Sequence, residues 1–184
     1  MQRQPISAPR TDAHVTRRIE TPLGSMLAVA TARGIVRLEF DRDDEADPPR
    51  LETDGQSAIA VHLLNTLTTE LTEYFAGNRT QFSVPVDPSG SDFAQKAWAF
   101  LRQIPFGQTR SYGAQARAIA GPNAARAVGR ANGSNPIAIV IPCHRVIGAD
   151  GSLTGFSSGI ERKRWLLDHE RKNRPSADPM LFPA

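Results

Sequence analysis

The only cysteine of this chain, Cys143, stands directly before a histidine and an arginine, in the stretch Ile137-Ala138-Ile139-Val140-Ile141-Pro142-Cys143-His144-Arg145-Val146-Ile147-Gly148. A thiolate is the strongest nucleophile a side chain can offer. An unperturbed thiol titrates near ~8.5, so only a few per cent is ionised at neutral pH; a cationic neighbour lowers that value. His144 could instead serve as the base that takes the proton. Neighbours in an extended segment point to opposite faces, so direct contact between Cys143 and His144 would need a turn or a bridging water. The ordinary alternative is a buried, inert cysteine beside a surface histidine.

The run before the cysteine is apolar and β-branched. It opens at Asn135-Pro136 and gives way to a turn from Gly148 to Gly151, so it reads as a buried strand. Pro142 lacks an N–H and limits further pairing. Upstream, Val15 to Glu20, Ser25 to Thr31 and Gly34 to Phe40 read as a small antiparallel meander, with turns at Thr21-Pro22-Leu23-Gly24 and Ala32-Arg33-Gly34. Asp41 to Gly55 is an acidic loop containing Pro48-Pro49. Ser57 to Ala76 reads as a helix whose apolar face is Leu63, Leu64, Leu67, Leu71, Tyr74 and Phe75. Gln81 to Val86 is a candidate further strand.

The second half is helical. Ser91 caps a helix lined by Phe93, Ala97, Phe100, Leu101 and Ile104 and stopped by Pro105. Ser111 caps a short helix running to Ala120, Gly121-Pro122 breaks the chain, and another helix runs from Asn123 to Asn132. Helix, tight turn, helix is the layout of a helix-turn-helix. On its second helix Arg126 and Arg130 share a face, while Ala124, Ala125, Ala127, Gly129, Ala131 and Gly133 are small. Glycine within a helix costs about 0.5–1 kcal/mol relative to alanine, which close approach of another backbone would offset. A smooth helix bearing arginines can lie in a groove of nucleic acid; the same small residues could equally serve tight packing within the domain. After the loop Ser152 to Gly159, a closing helix spans Ile160 to Lys172, with Ile160, Leu166 and Leu167 facing the core. The expected division is a tail over 1–14, a domain over 15–87, a second over 88–174, and a tail over 175–184.

The chain's 184 residues suffice for one or two small domains. One cysteine excludes an internal disulfide and a zinc site of several thiolates, and a free thiol fits a reducing compartment. No stretch has the length of a signal peptide core or a membrane span, so a cytoplasmic protein without a membrane partner is expected. Net charge is only +3, yet residues 1–90 carry 9 basic and 13 acidic side chains against 13 and 6 in residues 91–184. Basic charge gathered in one half suggests a polyanionic partner.

Pro142-Cys143-His144-Arg145-Val146 resembles the active-site signature of the O6-alkylguanine-DNA alkyltransferases. The likeness extends to Phe106-Gly107, Ser111-Tyr112-Gly113, Ala124-Ala125-Arg126-Ala127-Val128-Gly129, Ala131-Asn132 and Asn135-Pro136. Downstream it takes in Gly151, Leu153, Gly155-Phe156, Gly159, Trp165-Leu166-Leu167 and Glu170. It is strong from Phe93 to Glu170; the first half matches only in layout.

The resemblance implies an α/β (α+β) chain. A small antiparallel sheet with a helix, in a ribonuclease-H-like layout, precedes a mainly helical domain with the helix-turn-helix and active-site loop. It implies transfer of an alkyl group from O6 of guanine, and O4 of thymine, to Cys143, once per molecule, with no cofactor and no metal. His144 would relay the thiol proton through water, Glu170 would hold the imidazole, Asn135 would brace the turn, and Tyr112 would donate towards N3 of guanine. Pro136, Val146, Leu153, Phe156, Ser157 and Ser158 would shape the pocket. The carbonyls of Cys143 and Val146 would accept from the exocyclic amine, and the Ser157 N–H would approach O6. Ser111, Ala125, Arg126, Ala127, Gly129 and Arg130 would meet double-stranded DNA through the minor groove, Arg126 filling the place of a base turned out of the stack. The protein would act as a monomer, with cooperative binding along DNA left open. The pocket loop Phe156-Ser157-Ser158-Gly159 departs from the family pattern, which carries a tyrosine followed by small, glycine-rich residues. Methyl transfer is therefore expected, and tolerance of bulky groups less so. The rivals are a DNA-binding sensor or regulator without chemistry, which Cys143 argues against, and a thiol hydrolase, for which adjacent Cys143 and His144 have the wrong geometry.

Overall fold

The computed structural model describes residues 14–41 and 55–175. The acidic loop, apart from Asp41 and Gly55, and both tails, apart from His14 and Pro175, lie outside the described residues. Three strands form an antiparallel sheet in the order β1 (Val15–Ile19), β2 (Met26–Thr31), β3 (Gly34–Phe40). Its register pairs Ile19 with Met26 and Met26 with Phe40, and shifts between Val29 and Ala30. Helix α1 (Gly55–Phe75) packs across this sheet. Leu64, Leu67, Leu71 and Tyr74 of the expected stripe are fully buried, while Leu63 and Phe75 pack at its margin.

The second half assembles α2 (Asp92–Leu101), β4 (Arg110–Ser111), α3 (Tyr112–Ile119), α4 (Ala125–Gly133), β5 (Val146–Ile147) and α5 (Ile160–Lys172). Ser91 Oγ accepts from the Ala94 N–H and Ser111 Oγ from the Ala114 N–H, so both expected caps form. A 3₁₀ turn, Pro122–Ala124, leads into α4. Polar clamps fix the helix-turn-helix against α2. Gln115 and Asn132 exchange amide hydrogen bonds at 2.8 and 3.2 Å, Gln115 Nε2 also donates to Ala97 O, and Trp98 Nε1 donates to Ala131 O. These groups are buried, and leaving any one unpaired would cost about 1–3 kcal/mol.

Two strand expectations are corrected. Gln81 to Val86 contributes only an isolated parallel bridge from Val86 to Ile35; Pro85 has no N–H and offers its carbonyl alone, to Ile35 N. The run Ile137–Ile141 is buried as expected, but it is not a strand. Only Ile137 bridges, to Leu38 of β3, with Leu38 N donating to Pro136 O and Ala138 N to Leu38 O at 2.8 Å each. The chain then turns on itself, Val140 N donating to Ala138 O and Ile141 N to Ile137 O. Ile139 sits at φ 70°, a left-handed conformation that a β-branched residue adopts at a cost of about 1–3 kcal/mol. The N-terminal sheet thus holds the start of the segment that delivers Cys143, and the turn after it sets that residue's direction.

Candidate active site

Cys143, His144 and Arg145 form a 3₁₀ turn directly after Pro142. Asn135 builds the approach to it. Its Oδ1 accepts from Ile137 N at 3.0 Å, and its Nδ2 donates to Ile141 O at 2.8 Å and to Cys143 Sγ at 3.2 Å. The expected bracing of the turn is therefore joined by a donor aimed at the sulfur. Cys143 is 7% exposed. Burial pushes its thiol above the usual value, and the Asn135 hydrogen bond and the charge of Lys163 pull it back down. The resting residue is a thiol whose proton must leave during reaction, rather than a standing thiolate.

His144 and Glu170 are fully buried. Glu170, near the end of α5, accepts from His144 Nε2 at 2.8 Å, from Tyr74 Oη and Arg145 Nη2 at 2.9 Å, and from Gly107 N at 2.9 Å. Burial alone would raise its carboxyl, but His144 and Arg145 outweigh that and hold it well below the usual carboxylate range. An ionised carboxylate only accepts, so the proton of the neutral imidazole sits on Nε2 and the lone pair on Nδ1. Nδ1 is buried and has no hydrogen-bond partner among the described residues. Burial lowers the His144 pKa, with Glu170 opposing, so the ring is neutral, bound to Glu170 through Nε2 and with its basic Nδ1 on the other side. The His144 imidazole makes no hydrogen bond with Cys143 among the described residues, which also disfavours a hydrolase dyad.

Three participants were not anticipated from the sequence. Arg145 closes the back of the site, donating to Ile104 O at 2.6 Å as well as to both Glu170 oxygens. Tyr74 reaches Glu170 from α1, in the other half of the chain. Lys163 is fully buried, its Nζ donating to Val146 O at 2.7 Å and Thr154 O at 3.1 Å. A signal for the last existed. Lys163, Leu166 and Glu170 fall at i, i+3 and i+7, so a lysine and a glutamate occupy the buried stripe of α5 and need polar partners there.

Tyr112 is half-buried at the first position of α3, and its hydroxyl donates to Thr154 O at 3.0 Å. Together with Ala125, Arg126, Gly129, Arg130, Thr154 and Gly155 it lines an open groove of about 500 Å³. Arg126 and Arg130 are exposed and make no ion pair among the described residues. A Cβ built on Gly129 would meet only Tyr112 Cε1, at 4.0 Å. Among the described residues no backbone outside α4 lies within 4 Å of that position, so Gly129 leaves the groove surface smooth, while Ala131 packs in the core. Ser111 spends its hydroxyl on capping α3, and Ala127 is half-buried outside the groove lining.

The expected pocket residues do not all converge. Phe156 packs against the core, Ser157 is exposed, and Ser158 is half-buried with its carbonyl accepting from Arg162 Nη1 at 3.1 Å. Val146 is buried and Pro136 lends its carbonyl to β3. Leu153 instead lines a separate depression with Gly107, Thr109, Arg164, Leu167, Asp168 and Arg171. No cluster of His, Cys, Asp and Glu able to hold a metal occurs among the described residues, and none of their helices is long and apolar enough to cross a membrane.

Residues 15–88 match the family model described as 6-O-methylguanine DNA methyltransferase, ribonuclease-like domain, and residues 92–172 match that of the DNA binding domain. The chain is 58% identical over 169 residues to the methylated-DNA–protein-cysteine methyltransferase of Mycobacterium tuberculosis, covering 90% of this chain and 97% of that protein. It is 42% identical over 159 residues to the protein of that name from Shigella flexneri, covering 83% and 93%. The crystal structure of the M. tuberculosis O6-methylguanine methyltransferase superposes with a TM-score of 0.75 and 41% identity, covering 89% of this chain and 96% of that one. A structure of the M. tuberculosis protein in complex with DNA superposes with a TM-score of 0.72 and 43% identity, covering 87% and 94%. On both halves of its length, then, this chain belongs to the 6-O-methylguanine DNA methyltransferase family, the O6-alkylguanine-DNA alkyltransferases.

Proposed function

We propose that this protein repairs alkylated DNA directly, transferring the alkyl group from O6 of guanine in a duplex to Sγ of Cys143. The observation that carries the reading is the chain's one thiol, held by Asn135 at 3.2 Å, beside an imidazole that Glu170 fixes with its lone pair on the free nitrogen. In the reaction the S–C bond forms as the C–O bond breaks. The thiol proton passes through a bridging water to His144 Nδ1, and the electron pair of the broken bond remains on guanine. Tyr112 exchanges its Thr154 partner for N3 of guanine and donates there, making the base a better leaving group. Displacement at an sp³ carbon suits a soft sulfur, and the thioether formed has no hydrolytic exit, so each molecule reacts once.

The target atom lies inside the base stack, so the nucleotide must turn out of it, at a cost of a few kcal/mol. Arg126 fills the vacated place, Arg130 meets phosphate, and Ala125, Ala127 and Gly129 keep α4 slim enough to enter the minor groove. Residues 15–87 and 88–174 act as two units flanked by tails, and the protein works as a monomer in the cytoplasm on chromosomal DNA. O6-alkylated guanine is the substrate, with O4-alkylated thymine a further one. Intact-mass measurement after mixing with a duplex containing O6-methylguanine tests the proposal. One methyl group per chain, mapped to Cys143, is the expected result; an unmodified cysteine, or product in excess of protein, refutes it.

A further inference from the structure

We propose that Arg162 is a specificity-determining positioning residue, tying the pocket loop to the N-terminal half and so limiting the size of alkyl group the site admits. The inference rests on the function proposed above. Arg162 lies in the first turn of α5. Its Nε donates to Leu23 O at 3.1 Å, its Nη1 donates to Ser158 O at 3.1 Å, and its guanidinium lies over the Phe40 ring, 4.6 Å from the centroid. Two carbonyls and an aromatic face are what a planar, forked cation holds well and an ammonium does not.

The anchor end is firm. Leu23 belongs to the turn between β1 and β2, which closes on itself through Gly24 N to Thr21 O at 3.0 Å and Thr21 Oγ1 to Gly24 O at 2.6 Å. Phe40 ends β3 and is buried. The other end is the loop. Thr154 and Gly155 are held at its start by Tyr112 and Lys163, while Ser158 is held at its finish by Arg162. Between these points Ser157 is exposed, and Phe156 packs against the core. A larger group on O6 needs the loop to move outward. Of the side chains that hydrogen-bond it among the described residues, Arg162 is the one that also bonds the other half of the chain, and it takes no part in the chemistry.

The test uses the full chain and two duplexes of one sequence, carrying O6-methylguanine or O6-benzylguanine, with the rate of Cys143 alkylation read by intact mass. In Arg162→Ala the benzyl-to-methyl rate ratio rises by roughly tenfold, the factor that loss of one charge-assisted hydrogen bond corresponds to. Arg162→Lys keeps the charge but reaches a single carbonyl, so its ratio falls between those of wild type and Arg162→Ala. It also supplies the result should the alanine variant fail to fold. A ratio that stays at the wild-type value, whether both rates drop together or neither changes, overturns the proposal. Wild-type protein left unmodified by both duplexes overturns the function itself and the tether with it.

Discussion

Replacing Glu170 by glutamine tests the centre of the site, because the change keeps shape and removes only charge and acceptor capacity. Glu170 is fully buried and accepts from His144, Arg145, Tyr74 and Gly107. A glutamine amide has one oxygen where the carboxylate has two, and its NH₂ would face other donors. Arg145 would then keep a buried charge with no counter-ion. Breaking a buried pair in this way costs about 3–5 kcal/mol. In a chain of this size each kcal/mol lowers Tm by roughly 2–4 °C, so Glu170→Gln should melt roughly 6–20 °C below wild type. The exposed pair of Glu161 and Arg164, at 85% and 52% side-chain exposure, is the control; Glu161→Gln should shift Tm by at most a few degrees. The pH dependence carries a sign. The carboxyl of Glu170 is held below its unfolded value of about 4.3. Its stabilisation is therefore complete above that pH and is lost as pH falls through the depressed folded value. The Tm gap between wild type and Glu170→Gln should hold steady at neutral pH and narrow only in acid below about pH 4. A variant that melts with wild type at neutral pH would refute the reasoning.

Two other changes separate DNA handling from chemistry. Arg126 is exposed and free of ion pairs among the described residues, so Arg126→Ala should leave Tm unaltered. The same variant should slow repair of duplex DNA about tenfold or more, relative to reaction with free O6-benzylguanine; equal slowing on both would remove the base-replacing role. Lys163 lends its charge to the thiol and its ammonium to Val146 O and Thr154 O. In Lys163→Met the midpoint of the pH–rate profile for Cys143 alkylation should move upward, and a midpoint identical to wild type would mean that the lysine only holds the loop.

Much of the local order was readable because it depends on neighbours in sequence. Ser91 and Ser111 cap the helices that follow them, the bounds of α5 agree with the pattern from Ile160 to Lys172, and the leucines of α1 face the sheet. The run Ile137–Ile141 was not readable, because an apolar β-branched stretch buries equally well as a strand or as a turn. What decides between them is Asn135, whose side chain satisfies Ile137 N and Ile141 O in place of a ladder. The reactive cysteine was legible from its motif. Its surroundings were not, since Tyr74 lies 96 residues from Glu170 and Arg145 lies 25. No periodicity encodes such pairs; a lysine and a glutamate on one buried helical stripe was the nearest available hint.

Those long-range contacts tie the N-terminal half to the proposed site. β3 holds the start of the cysteine segment through Leu38, α1 supplies Tyr74 to Glu170, and the turn at Leu23 anchors Arg162. The first restrains the segment that carries Asn135 and Cys143, the second the carboxylate that holds His144, and the third the loop at Ser158. Orientation of reactants can account for several kcal/mol of a barrier, and it is most effective where the holding side chains are themselves locked. A thiol that burial keeps protonated has little intrinsic reactivity to spare. On the proposed chemistry, Asn135 at the sulfur and His144 fixed by Glu170 would make that sulfur competent, and the sheet and α1 hold the segments that carry them.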